Sequence, residues 1–425
     1  MNTIRKVSCV LMLVAVIAAP LFATESTDPV GPGVGSSSVA YDSLGVVFSP
    51  ISVRSMGMGG AGIAVAGTSD SFFLNPAALA NRKFQLSLPS IGVTVYNPQQ
   101  ILEQGIIEDI KADKEEDAAQ KFLGILSRKG FNEALTSDVA FSLSAGGFGL
   151  GIQAQEKIHS YSPDGKTTST KLIAEANAVA TLGYGLRIHI IEDSLSIDLG
   201  VAARFNYRAY NQAVTADDFI GLVAGTEDTD DLLNETPLMA GWAVPIDAGV
   251  NVNLPLGFTI STVVRNLNGK YHMTAYPGIS NWAKEVLGVK LTSDGSQGAG
   301  TNSEFEFTIP WSLDAGFGWA PSFGSFDKIL RPTVAVDVVD LVDLFGEEVT
   351  TERLLTHLKA GAEVKLFSML DVRAGLNQGY ITIGAGVDLF VIRLEAAYYR
   401  QEFGVQLDDK PVDALTIRAN IGFDR

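Results

Sequence analysis

Gly57-Met58-Gly59-Gly60-Ala61-Gly62 has the G-x-G-x-x-G spacing that lets a backbone turn approach a dinucleotide pyrophosphate. That chemistry also needs a strand before the turn and an acid about 20 residues after it to hold the ribose. Pro50 breaks the short apolar run before this motif, and no acid stands where the ribose contact is expected. The glycines are read instead as backbone packed in a confined space. His159, His189, His272 and His357 lie far apart and show no metal-ligand spacing. The acid run from Glu227 to Asp231 lacks the glycine and closing glutamate of a calcium loop. No G-x-S-x-G occurs, and Cys9 is the only cysteine, so no thiol or serine nucleophile is nominated. The remaining candidates are charges in otherwise alternating segments: Asp198, Arg204, Arg208, Arg265 and Arg418, with Arg373 and Arg393. Such arginines either receive a ligand carboxylate or pair with acids such as Asp371 and Glu395 and stiffen a wall, and the second reading is favoured. No catalytic residue, metal or cofactor is read from the sequence, and the chain is not expected to be an enzyme.

The elements that position these charges follow from the wider pattern. The chain has 425 residues, 46% hydrophobic and 19% charged, with a formal net charge of -17. That composition excludes a disordered chain, and the acidity disfavours a nucleic-acid partner. Arg5 and Lys6 precede an apolar stretch from Val10 to Ala19, the layout of a secretory signal peptide cleaved near Ala23. Cys9 would leave with it. Residues 24–44 read as a flexible lead-in rich in Gly, Ser and Pro. No later window approaches 18 unbroken apolar residues, so a membrane location would require a closed barrel.

From Phe84 onward, apolar and polar residues alternate with period two in segments of about ten residues. In 195–208, Leu195, Ile197, Leu199, Val201, Ala203, Phe205 and Tyr207 share one face, against Asp198, Arg204 and Arg208 on the other. Fourteen such segments are expected, at 84–96, 138–146, 148–159, 171–190, 195–208, 242–254, 257–266, 309–320, 332–341, 356–367, 370–377, 380–389, 391–402 and 413–423. Short and long joins largely alternate between them, the signature of an all-β outer-membrane barrel with tight periplasmic turns. Helical patterning in 99–126 and 278–291 predicts amphipathic helices capping the outer rim. Tyr96, Tyr207, Trp242, Trp311, Trp319 and Tyr399 are expected in interfacial girdles.

The stretch Arg54 to Ala66 followed by Asn75-Pro76-Ala77-Ala78-Leu79, running into a strand at Phe84, resembles the opening of FadL-type long-chain fatty acid transporters of the outer membrane. Barrels serving a secretion apparatus and spirochaete FadL-like proteins look similar there. The resemblance implies a fourteen-stranded barrel, residues 83–425, plugged by an N-terminal hatch at 45–82. Gly57, Gly59, Gly60 and Gly62 would pack that hatch, and Asn75, Pro76 and Ala77 would close it. It implies uptake of a hydrophobic small molecule by passive diffusion, with lipid and that ligand as partners; the oligomeric state is not fixed by the sequence, and a monomer is favoured. A docking role in secretion and a porin-like surface role stand as alternatives.

Overall fold

The computed structural model describes residues 52–424, except 192–193, 212–213, 226–227, 347, 404–406 and 409. The expected signal peptide, the lead-in and residues 45–51 lie outside the described residues. Fourteen strands form one antiparallel barrel: β1 Gln85–Tyr96, β2 Gly130–Ala145, β3 Phe148–Ser162, β4 Lys171–Ile191 and β5 Leu195–Asn211. Three strands follow that are each broken once: β6 Leu238–Ala243 and Ile246–Asn253, β7 Phe258–Leu267 and Lys270–Tyr276, β8 Ser303–Thr308 and Ser312–Trp319. The wall ends with β9 Leu330–Val338, β10 Leu358–Leu366, β11 Leu370–Asn377, β12 Tyr380–Leu389, β13 Ile392–Glu402 and β14 Pro411–Asp424. β1 pairs with β14, Val93 opposite Ile417, so the cylinder closes. Closure satisfies the backbone without a free end strand, as lipid demands.

Alternation sets the two faces. Ile91, Val93, Phe317, Ile383, Leu394 and Ile417 are exposed on the outside. Gln155, Asp198, Arg208, Asp337, Arg373 and Arg418 are buried inside. The register of β1 shifts between Ser87 and Ser90. That bulge reverses the phase of the strand and carries Tyr96 inward. Tyr399 shares the inward phase of Arg393 and Glu395. Both tyrosines therefore pack in the lumen with Val53, Ala397, Val412 and Ala414 rather than in an interfacial girdle.

Two further expectations are corrected. The 267–308 join contains strand at both ends, Lys270–Tyr276 and Ser303–Thr308, so the wall rises higher there than expected. The loop helices are more than lids over the rim, because they pack on the outside of the wall. Arg208 and Tyr210 face the lumen, so Ala209 between them faces out. Ala209, Leu238 and Ala240 are covered by Ile279, Trp282 and Leu233 of the loop helices. Trp282 Nε1 donates to the Tyr207 hydroxyl, 2.8 Å away. Leu123 and Leu126 of helix Glu115–Leu126 likewise cover Leu172 on the outside of β4. The helices clad the outer wall, because apolar outward residues above the lipid need cover from water.

Candidate functional site

The lumen is the candidate site, and three zones divide it. The first is the N-terminal segment, residues 52–81, which lies against the inner wall. A short helix, Val53–Gly57, begins where the Ser52 hydroxyl accepts from the Ser55 amide. Gly59 and Gly60 follow with φ of 71° and 81°, a backbone conformation that glycine adopts freely. A Cβ on Gly59 would strike the carbonyl oxygens of Leu376 and Ala360, and one on Gly57 would crowd Gly384. The Gly62 and Ile63 amides both donate to Asp337 Oδ2, at 2.6 and 3.0 Å. Asn75 accepts from the Ala77 amide at 2.9 Å, while its side-chain amide donates to the Ile63 carbonyl and to Asn251 Oδ1. Pro76 opens a 3-10 turn, Pro76–Asn81. The wall answers with its own glycines. A side chain on Gly200 would overlap Pro76 and Ala77, one on Gly361 or Gly375 would overlap Met58, and one on Gly151 would overlap Phe73. These inward wall glycines were not singled out from sequence, although their inward phase was readable.

The second zone is charged. Arg54 of the segment forks onto Glu363 of β10, Nη2 to Oε1 at 2.8 Å. Glu363 also receives Arg373 Nε at 2.7 Å, and Arg373 reaches Asp371 and Glu395 at 3.1 and 2.9 Å. Arg393 joins Asp371 and Glu395, and Lys365 pairs with Asp388. Arg418 pairs with Asp138 at 2.7 Å and donates to Ser90. Beside these groups lies a cavity of about 440 Å³, bordered by Arg54, Arg393, Arg418 and Asp70 and by the turn residues Phe367 and Phe390 of the short-turn rim. Charged and hydroxyl side chains line just over half of it, with Leu86, Met369 and Ile392 among the apolar remainder.

The other sequence candidates each meet a charged partner on the wall. Asp198 receives Arg187 Nε at 2.6 Å. Arg204 binds Asp247 at 2.8 Å and Asn266 at 2.6 Å. Arg208 meets Glu175 at 3.0 Å. Arg265 meets Asp314 at 2.6 Å and donates to the Leu74 carbonyl at 2.6 Å, linking the wall to the N-terminal segment. The structure joins Arg373 and Arg393 in one network, whereas Asp198, Arg204, Arg208, Arg265 and Arg418 each meet a different charged partner, with His159 and Glu133 extending the Arg208–Glu175 contact. All five have an acidic or basic partner in the wall.

The third zone is apolar and was missed by sequence reading. At the outer end of β5–β8, Tyr210, Met239, Ala243, Tyr271, Met273 and Ile309 form one buried cluster with Phe305 and Phe307. Tyr271 stands opposite Phe307 and Met273 opposite Phe305. Their outward neighbours are polar: Lys270 and His272 both reach Glu306, at 2.6 and 2.9 Å. The wall here is greasy inside and wet outside.

No protein-family model and no curated protein sequence matches the chain. Among solved structures, the toluene transporter TodX of Pseudomonas putida is 11% identical, covering 89% of this chain and 98% of its own, at a TM-score of 0.45. The CymD monoaromatic hydrocarbon channel is 12% identical, covering 88% and 97%, at 0.44. A Pseudomonas aeruginosa FadL homologue is 12% identical, covering 88% and 98%, at 0.41. At such values the fold stands on the strand register of this chain itself.

Proposed function

We propose that the protein is a non-enzymatic outer-membrane conduit that takes up hydrophobic small molecules, long-chain fatty acids among them, by passive diffusion. Residues 45–82 act as its hatch. The observation that carries this reading is the inward apolar cluster at the outer mouth. A cluster of Met and aromatic side chains placed inside a wall whose exterior is charged suits an apolar guest. The cluster is packed shut, so a guest enters by taking the place of these side chains, with flexible Met239 and Met273 yielding first. The charged cavity lies on the far side of the hatch and suits release into water. The glycine and Asn-Pro-Ala motifs support the same reading through their resemblance to FadL-type transporters.

Phe305→Arg tests this. Proteoliposome uptake of a labelled long-chain fatty acid is expected to fall about tenfold or more, because an unpaired cation in an apolar cluster costs more than about 1.4 kcal/mol. Unchanged uptake by a correctly folded variant contradicts the proposed entry site. Uptake of a small sugar in place of the fatty acid favours the porin-like alternative.

A further inference from the structure

One edge of the wall lacks a strand partner. Among the described residues, Ser303–Thr308 pairs with β7 alone, and Ser312 to Asp314 do likewise. Pairing with β9 starts only at Ala315, opposite Val338. An unpaired backbone edge is an open template for pairing with another chain, and proteins keep such edges covered. Beside Ser312–Asp314 the cover is a helix. Leu341–Gly346 begins after Val339 and Asp340, and the Asp340 amide donates to Asp314 Oδ1 at 2.9 Å. Leu344 is buried. A second helix, Thr351–His357, leads straight into β10, and the Val339 amide donates to the His357 carbonyl at 3.0 Å. Asp343 holds the two helices together through Arg353 and His357, at 3.0 and 3.1 Å.

The other face of this hairpin has no cover. Val342 and Phe345, three residues apart and so on one face, are 40% and 70% exposed. Val349 and Leu354 are exposed too. The hairpin sits on a low part of the rim: the adjacent β11–β12 turn is only Gln378-Gly379. The exposed Leu376 and Ile381 of the lipid-facing belt stand at that level, and Trp311, of a residue type favoured at membrane interfaces, is half-exposed at the β8 break. We propose that the 341–357 hairpin is an interfacial lipid-binding element. Val342 and Phe345 insert among outer-leaflet acyl chains at the headgroup boundary, continuing the belt upward and sealing the β8 edge. This proposal depends on the barrel and is independent of what the barrel carries.

The mature chain is expected to lack cysteine, so single thiols report cleanly. Phe345→Cys, Ile383→Cys in the belt and Lys166→Cys at an exposed loop tip are each labelled with an environment-sensitive fluorophore in phosphatidylcholine–phosphatidylethanolamine vesicles. Position 345 is expected to emit to the blue of 166 and to be quenched by lipid carrying a nitroxide near the headgroup. Position 383 is expected to respond to the deeper nitroxide, and 166 to aqueous iodide alone. Water-like emission at 345 with full iodide quenching overturns the proposal. So does energy transfer between two labelled copies at 345 with no lipid quenching, which would make the face a self-association surface. Heat-modifiable gel mobility confirms that each variant is folded.

Discussion

The wall of β6–β8 changes character at its breaks. Below them, Phe317 and Ile260 point outward while Asp314 and Ser261 point in. Above them the order reverses: Lys270, His272 and Glu306 face out, and Tyr271, Met273, Phe305 and Phe307 face in. The same period-two strand thus serves two solvents. Lipid selects apolar residues outside over the lower span, while water outside and a greasy interior select the opposite above. The breaks, at Val244-Pro245, Asn268-Gly269 and Ile309-Pro310-Trp311, fall where proline and glycine are tolerated in sheet, at bulges. The reversal marks where the wall leaves the lipid, and it is the basis of the entry site proposed above.

The largest expected effect lies on the charged side. Glu363→Ala leaves Arg54 and Arg373 without their shared carboxylate in a buried site, so the folded barrel should lose about 3–5 kcal/mol. The urea midpoint of the compact, heat-modifiable form measures this. A loss under about 1 kcal/mol would mean that water already screens the network. Gly361→Val should displace Met58, because its Cβ overlaps the Met58 backbone. The expected signature is new ion conductance in planar bilayers with the barrel intact, and a silent variant would mean that the segment can shift without opening the lumen. On the outer wall the contrast sharpens with a pair at adjacent positions. Phe307→Glu should reduce fatty acid uptake, whereas Glu306→Leu, whose partners are half-exposed, should leave uptake and the urea midpoint unchanged. Equal effects at 306 and 307 would erase the proposed inside–outside distinction.

A local effect concerns the β13–β14 loop. Burial, with nearby Arg128 adding to it, lowers the Lys410 ammonium to about 8. A base depressed in the folded state is penalised when charged, so the loop should be least stable below pH 8 and gain as the pH rises toward the ordinary lysine value. With its partial exposure the gain is about 1 kcal/mol. NMR titration of dimethylated lysines should show one signal with a midpoint near 8, lost in Lys410→Met.

The strand count was legible because lipid imposes a strict alternation and tight turns separate the segments. Lys270–Tyr276 and Ser303–Thr308 also alternate, but with the phase reversed, and within a long join they read as loop. Tyr96 was misplaced because a bulge at 88–89 leaves no mark in a period-two count. The glycines at 57–62 announced close packing, yet their counterparts Gly200, Gly361 and Gly375 lie far away in sequence, and only the folded wall brings them together. The charged candidates were found as residue types. Their partners, such as Asp247 for Arg204 and Asp138 for Arg418, sit on neighbouring strands whose register no single sequence reveals.

The most direct test of the proposed conduit is uptake of a labelled long-chain fatty acid by proteoliposomes holding either the intact mature chain or one lacking residues 45–82. Uptake by the intact chain, faster still and joined by leakage of small polar solutes in the shortened one, is the predicted result. Equal and negligible fatty acid uptake by both folded proteins would contradict the account.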